Sequence, residues 1–286
     1  MRLMVAQANG DTAVYVLKGE EAVNVTAVDG TLGPDLGAIV ARGAQGLQAV
    51  GAAVERGTAV ATAALTPALP IARPGKVICL GLNYANHAKE GGHEVPDYPS
   101  LFMRGATSLI PAGAPMIRPT CSEQLDYEVE LMVIIGKSGR HISADNALDH
   151  VFGYTLFNDG SVRNFQRKTA QWTPGKNFDG TGPTGPVVVT PDELPPGAEG
   201  LHVETRLNGK VMQSATTADM LFKVPYTLAL LSEYTTLEAG DMIAMGTPEG
   251  VGHARRPQVW MKPGDVVEVE IEGIGVCQNT IVAEEG

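Results

Sequence analysis

The chain has 286 residues, an apolar fraction of 44% and a net charge of −11 at pH 7. That length can hold one large domain and a small one, each with a real core. The acidic balance excludes nonspecific binding to nucleic acid or to anionic membranes, because neither is attracted to a negative surface, so an anionic substrate needs a local cationic pocket.

Residues 1–68 are predicted to form a small N-terminal α/β domain. They begin with short apolar runs typical of strands and continue into an alanine-rich stretch, 36–69, that indicates one or two amphipathic helices. Charged residues interrupt that stretch, so it is not a membrane span. Prolines mark a boundary over 66–75, and a larger domain is predicted over 72–284. Its short Val/Ile-rich runs between turn residues predict an α+β, β-rich fold.

The cysteines and the N-terminus indicate where the protein works. Cys79, Cys121 and Cys277 are widely spaced and form no CxxC pair, which argues against a disulfide framework and a zinc knuckle. The first ten residues lack the long apolar core of a signal peptide. We therefore expect reduced thiols and a cytoplasmic location.

A candidate general base follows the first strand of the larger domain. The apolar run 76–82 predicts a buried strand, and Asn83 is placed to cap a short helix that the glycines after Glu90 can end. His87 and Glu90 are three residues apart and share a face of that helix, where the carboxylate can orient the imidazole. The alternative is that His87 and Glu90 are a surface pair without a catalytic role.

Three carboxylates form a candidate metal site. Glu128 and Glu130 lie within an apolar run, and on a strand both project from the same face, roughly 6.5 Å apart. Asp126 lies on that face too, and Asp159 follows the next apolar strand, 151–157. Like charges on a buried strand repel unless a cation separates them. An all-oxygen site favours Mg²⁺ or Mn²⁺, with Ca²⁺ as a further candidate. The alternative is ion pairs with Arg or Lys across an exposed edge.

Polar residues that could bind an anionic substrate cluster after Asp159. Arg163 and Gln166 follow it closely, and Lys176 lies a little further on. Thr247 belongs to a glycine-rich turn that lacks the Gly-Lys-Ser/Thr of a phosphate-binding loop, so we interpret it as a ligand contact. Each of these residues, taken singly, is also compatible with an ordinary solvated surface.

Taken together, the motifs resemble those of the fumarylacetoacetate hydrolase (FAH) superfamily. The resemblance runs from Lys76 to about Ile281 and rests on the order and spacing of Gly81-Leu82-Asn83-Tyr84, Asp126-Tyr127-Glu128-Val129-Glu130, Asn158-Asp159-Gly160-Ser161-Val162-Arg163, Gly175-Lys176, Gly185-Pro186 and Gly246-Thr247-Pro248-Glu249-Gly250. It implies an FAH-type mixed β-sheet roll and a homodimer. The implied site consists of Mg²⁺ ligands Glu128, Glu130 and Asp159, catalytic His87, Glu90 and Lys176, and substrate contacts Arg163, Gln166, Thr247 and Tyr84.

The resemblance implies hydrolysis of a C–C bond in an acylpyruvate or related 1,3-dioxo acid, a reaction of aromatic or sugar-acid catabolism. His87 would activate a water, and Lys176 would offset charge on the tetrahedral oxygen. The same site would also serve oxaloacetate decarboxylation, keto–enol isomerisation or lyase chemistry, and a noncatalytic metal-dependent binding protein is a further alternative. Gly160 and Asn164 depart from residues common in the family, which leaves the substrate open.

Overall fold

The computed structural model describes residues 1–285 and has the expected α+β, β-rich fold. The strands within that range are β1 Arg2–Ala8, β2 Asp11–Lys18, β3 Glu21–Asn24, β4 Ala59–Ala61, β5 Thr66–Pro67, β6 Val77–Gly81, β7 Ser100–Met103, β8 Leu109–Pro111, β9 Met116–Arg118, β10 Leu125–Asp126, β11 Val129–Ile135, β12 Val151–Asn158, β13 Ser161–Val162, β14 Gly182–Thr184, β15 Val187–Val189, β16 His202–Leu207, β17 Lys210–Thr216, β18 Met242–Ala244, β19 Val266–Ile271 and β20 Gly275–Ala283. The α-helices are α1 Val25–Val28, α2 Gly37–Ala41, α3 Gly43–Val54, α4 Ala85–Glu90, α5 Arg163–Gln166, α6 Thr173–Lys176 and α7 Val224–Tyr234.

Two of the three sheets formed by residues 1–285 pack face to face, and the third is the pair β10-β13. The larger has the strand order β4-β3-β2-β1-β15-β12-β11-β18-β6-β7, with β5, β8 and β14 paired beside this path. The smaller has the order β17-β16-β19-β20-β9. Leu131 and Leu156 of the larger sheet share a core with Val203 and Val269 of the smaller one. This packing removes the central strands from water.

Strand β11 is buried on both faces, which explains its unbroken apolar run. Leu131, Val133 and Ile135 face the core between the sheets. Met132 and Ile134 point the other way, into a second core that also contains apolar residues of α2 and α3. Glu130 has the same parity as Met132 and Ile134, so a carboxylate at that position is surrounded by protein rather than by water.

The N-terminal segment continues the larger sheet. Strand β1 pairs with β15, with Leu3 opposite Val188, so residues 1–68 and the rest of the chain share one sheet. The helices expected over 36–69 end at Val54. The residues after them form β4 and β5, because pairing with β3 and β1 outweighs the helical preference of alanine. The division into domains 1–68 and 72–284 stays a prediction. No helix within residues 1–285 has the length and apolarity that crossing a bilayer demands.

Candidate active site

Strand pairing brings the three predicted carboxylates together. Strands β11 and β12 are antiparallel with Val129 opposite Asn158, so the residue before β11 meets the residue after β12. The Asp159 N–H donates to the Glu128 carbonyl at 2.9 Å. Glu128 lies just before the strand and Glu130 within it, and one oxygen from each of the three carboxylates lies within 4.8 Å of the others. All three side chains are buried.

Two of the carboxylates are ion-paired. Lys176 Nζ lies 2.6 Å from Glu128 Oε2 and 2.5 Å from Asp159 Oδ2. Arg163 Nη2 lies 2.7 Å from Glu128 Oε1, at an angle that is not that of a hydrogen bond, and Arg104 pairs with Asp159. Burial alone would raise the pKa of Glu128, but Lys176 and Arg163 lower that pKa well below its usual range. The ion pairs of the alternative interpretation therefore exist, but in the interior rather than at an exposed edge.

Glu130 differs from its two neighbours because no cation pairs with it among residues 1–285. Its carboxylate accepts one hydrogen bond, from the Gly246 N–H at 2.9 Å. Burial, together with the charges of Asp159 and Glu128, raises the pKa of Glu130 well above its usual value. Hard divalent cations bind oxygen ligands, and this cluster offers only carboxylate oxygens, one of which belongs to a buried group without a cationic partner in the described part of the chain. The residues present therefore fit such an ion, with Glu128, Glu130 and Asp159 as the groups that could hold it.

Asp126 has a different role from the three clustered carboxylates. It accepts from Arg163 Nε at 2.8 Å and from the backbone N–H groups of Gly252 and His253 at 2.8 and 2.9 Å. These bonds fix the guanidinium that contacts Glu128 and tie the loop around residue 252 to the same place. Asp126 therefore positions groups of the site.

The predicted dyad forms on α4. His87 Nδ1 lies 2.8 Å from Glu90 Oε1, and Glu90 Oε2 accepts from the Gly250 N–H at 2.9 Å. The carboxylate is thus held by the helix and by the glycine-rich loop at once. Because Nδ1 is engaged, the other imidazole nitrogen of His87 is free to exchange a proton with a bound molecule.

A single cavity of about 400 Å³ has the dyad and two of the three clustered carboxylates in its wall, while Asp159 is buried and does not line it. By the ~30 Å³ that one water occupies in the liquid, this volume suits a small organic acid with accompanying water. Glu128 and Glu130 line it together with His87 and Glu90. The other predicted residues in its wall are Lys176, Arg163, Gln166 and Thr247. Gln166 accepts from Arg163 Nη1 at 3.0 Å, and Thr247 accepts from Gln213 Nε2 at 2.8 Å.

Tyr84 and Asn83 lie elsewhere. Tyr84 is 2% exposed, belongs to the core between the sheets and does not line the cavity. Asn83 does not cap α4, since the helix begins after Tyr84 without a side-chain cap. Its amide instead donates to the carbonyls of Phe222 and Met245 at 3.0 and 2.7 Å. The motif around these residues therefore stabilises the strand that supports the dyad.

Comparison with known proteins identifies the family. Residues 76–282 match the family model described as Fumarylacetoacetate (FAA) hydrolase, C-terminal. The chain belongs to the fumarylacetoacetate hydrolase family. The resemblance drawn from the sequence motifs is thereby confirmed, over nearly the same residues.

Related proteins with named activities include both isomerising and hydrolysing enzymes. The human mitochondrial oxaloacetate tautomerase FAHD2A is 43% identical over 215 residues, which are 74% of this chain and 68% of the relative. The fumarylacetoacetate hydrolase of Exiguobacterium antarcticum has a TM-score of 0.87 and 36% identity over 99% of this chain and all of that one. Maleylpyruvate hydrolase of Sphingobium sp. SYK-6, solved with manganese(II) and pyruvate, has a TM-score of 0.83 and 27% identity over the whole of both chains. That complex and the buried acidic cluster suggest a divalent metal here.

The two departures from the family pattern do not lie in the cavity wall. A Cβ on Gly160 would lie 2.0 Å from the Thr181 carbonyl oxygen, so glycine is required by packing. Asn164 accepts a hydrogen bond from Ser122 Oγ at 2.6 Å. The expectation that these residues bear on the substrate is therefore not supported by their positions.

Sequence reasoning missed three cationic or proton-donating residues. Arg104 binds Asp159, Thr181 and the Gly160 carbonyl, but it follows β7 without any motif. Arg167 and His253 line the cavity. Arg167 is adjacent to Gln166 and could have been included with it, whereas His253 is six residues past Thr247, with no signal in its spacing.

Proposed function

We propose that this protein is a divalent-metal-dependent enzyme that transfers a proton at the carbon next to the keto group of a small 2-oxo acid. The preferred reaction is keto–enol tautomerisation of an oxaloacetate-type acid. One observation carries the proposal, which is that the His87–Glu90 dyad lines one cavity with Glu128 and Glu130 of the carboxylate cluster. The 43% identity to a protein named oxaloacetate tautomerase supports tautomerisation in particular.

The residues of the chain have distinct roles in this proposal. Glu128, Glu130 and Asp159 would hold Mg²⁺, for which Mn²⁺ or Ca²⁺ could substitute. The bound ion would polarise the 2-oxo group and so acidify the neighbouring C–H. His87, oriented by Glu90, takes that proton and returns it to the enolate oxygen.

The other polar groups of the cavity wall would orient the substrate. Arg163 and Lys176 supply positive charge next to the cluster, where a carboxylate and a developing enolate need it. Gln166 and Thr247 supply hydrogen bonds beside them. Lys176 already contacts two carboxylates, so its ammonium acts on the substrate through the charge balance of the whole cluster as well as by direct contact.

Hydrolysis of a C–C bond in an acylpyruvate is the second candidate. A dyad able to take a proton from carbon can also take one from water, and the maleylpyruvate hydrolase that matches the whole chain carried pyruvate in its structure. Hydrolysis needs an activated water and decarboxylation of oxaloacetate does not. The two can therefore be separated by their dependence on His87.

The test compares three reactions in metal-stripped protein reloaded with Mg²⁺, Mn²⁺ or Ca²⁺. Tautomerisation is followed by the absorbance of the enol, hydrolysis on a panel of acylpyruvates, and decarboxylation by loss of oxaloacetate. His87→Ala should lower tautomerisation and any hydrolysis by roughly 10²- to 10⁴-fold, the usual contribution of a positioned base, and decarboxylation much less. The control is His202→Ala, an exposed histidine on β16. Full turnover in the His87 variant would refute the role of the dyad.

We also propose that the protein is cytoplasmic, on the strength of its cysteine spacing and N-terminal sequence, and a homodimer, on the strength of the family resemblance. Light scattering at micromolar concentration should give twice the chain mass of 30.0 kDa. A monomeric mass would contradict this proposal without affecting the chemistry.

A further inference from the structure

The mouth of the cavity contains polar residues that the proposed reaction does not use. Glu128 and Glu130 are buried at the inner end, whereas Arg167 and Thr169 are exposed and His253 is half-buried. All five line the same cavity. A substrate whose reacting end reaches the carboxylate cluster would therefore extend past Arg167 and His253 on its way out.

Arg167 is a cation without a partner among residues 1–285. Within residues 1–285 its guanidinium forms no ion pair and no hydrogen bond, although its backbone N–H donates to the Arg163 carbonyl at 3.2 Å. Asp126, the carboxylate whose charge acts on Arg167, is already paired with Arg163. Burial and the charge of Arg163 both lower the pKa of Arg167. A guanidinium next to another guanidinium, with no anion of its own, is stabilised by an anion that binds from the cavity.

His253 adds a directed hydrogen-bond donor beside that cation. Its ring packs against Trp260 with centroids 5.9 Å apart, and Gln258 Nε2 lies 3.2 Å from its Nδ1. Nδ1 therefore accepts and the proton resides on Nε2. Burial, with Arg167 and Arg163, lowers the pKa of His253 to about 4, so the ring is neutral at pH 7. A neutral donor beside an unpaired guanidinium suits a single carboxylate.

We propose that Arg167 and His253 form the recognition site for the second carboxylate of a dicarboxylic 2-oxo acid. This inference rests on the proposed function and narrows its substrate class. The first carboxylate and the keto oxygen occupy the inner end, and the distal carboxylate takes a charge-assisted hydrogen bond from each mouth residue. A monocarboxylic 2-oxo acid has no distal carboxylate for these two side chains to bind. The site therefore selects dicarboxylates through their binding affinity rather than through the rate of the chemical step.

Calorimetry on the Mn²⁺-loaded protein tests this with a matched pair of acids, 2-oxoglutarate and 2-oxopentanoate. Wild type should bind the dicarboxylate more tightly. Arg167→Gln should weaken dicarboxylate binding roughly 10- to 100-fold, the ordinary range for a hydrogen bond to a charged group, and leave the monocarboxylate unchanged. His253→Leu should give a smaller loss with the same selectivity. With oxaloacetate as substrate, the loss in Arg167→Gln should fall on KM with kcat nearly unchanged.

The control is Lys168→Gln, which removes an adjacent positive charge that stacks on Phe165 and does not line the cavity. It should leave both affinities unchanged. If Arg167→Gln kept the preference for the dicarboxylate, or lost affinity for both acids equally, the mouth site would be refuted while the proposed reaction stood. A wild type that bound neither acid would refute the proposed function and the mouth site together. A wild type that bound both equally would refute the mouth site alone.

Discussion

Lys176 offers the sharpest test of how the buried cluster is held together. Its side chain is 2% exposed, and its ammonium lies 2.6 Å from Glu128 and 2.5 Å from Asp159. Lys176→Met keeps the length of the side chain and removes the charge. The two carboxylates would then lose a shared partner in the interior, where removing one member of a buried charge pair costs roughly 3–5 kcal/mol.

The structure favours the lower end of that range. Glu128 keeps Arg163 and Asp159 keeps Arg104, so neither carboxylate is left without positive charge. We therefore expect a loss of about 3 kcal/mol, or roughly 6 °C in Tm for a chain of this size. Mn²⁺ should restore most of it, because an ion at about 100 times its Kd adds ~2.7 kcal/mol and here replaces the missing charge.

Thermal unfolding with and without Mn²⁺ measures both effects. The matched control is Lys76→Met, since Lys76 also bridges two carboxylates, Glu238 at 2.7 Å and Asp241 at 2.9 Å, but with 20% of its side chain exposed. There the loss should be about 1 kcal/mol or less, and Mn²⁺ should not offset it. A Lys176 variant that unfolded at the wild-type temperature, or that Mn²⁺ stabilised no more than wild type, would refute this account of the cluster.

Three further changes probe other parts of the site. Glu130→Gln should abolish Mg²⁺ binding in calorimetry and stabilise the metal-free protein by about 1 kcal/mol, because glutamine cannot carry the negative charge that burial and the neighbouring carboxylates disfavour at this position; unchanged Mg²⁺ binding would rule out the ligand assignment. Gly81→Ala should cost about 1–3 kcal/mol and shift tryptophan emission, because its Cβ would lie 2.1 Å from Trp172. Gly105→Ala is the control, because its Cβ would meet only Asn177 Oδ1 at an ordinary 3.6 Å, and equal effects would count against the clash. Because the pKa of His253 is lowered to about 4, the unfolded chain binds a proton that the folded protein does not, and stability falls as pH drops from about 6.5 towards 4. His253→Gln should remove about 1 kcal/mol of that fall, allowing for solvent screening, in denaturant titrations at pH 7 and pH 5; an unchanged pH dependence would contradict the shift.

The acidic cluster could be predicted because its signal is local. Two carboxylates one residue apart in an apolar run fix their common side, and Asp159 is at the end of the strand that pairs with that run. The antiparallel register then brings all three together. The same holds for His87 and Glu90, whose spacing on one helical turn determines their contact.

Other features depended on distant parts of the chain and carried no such signal. Arg104 reaches Asp159 across 55 residues, and nothing around it in the sequence indicates a partner. The sequence predicts Asn83 as a helix cap, but its side-chain amide donates to the carbonyls of Phe222 and Met245 instead. The sequence predicts helix up to residue 69, but the residues after Val54 form strands that pair with β3 and β1 of the larger sheet. In each case a long-range partner outweighed a local preference.

The charges of the site explain why metal and substrate would bind together. When all are ionised, four buried carboxylates and three buried cations leave one negative charge in the interior, and within residues 1–285 Glu130 is the carboxylate without a cation. Binding of a divalent cation would change the net charge of these buried groups from −1 to +1. The carboxylate of a 2-oxo acid would then neutralise it, so each ligand should raise the affinity of the other, as reciprocal coupling requires. A second carboxylate would add a charge that the interior cannot balance, and Arg167, which has no ion-pair partner within residues 1–285, supplies a positive charge for it at the mouth.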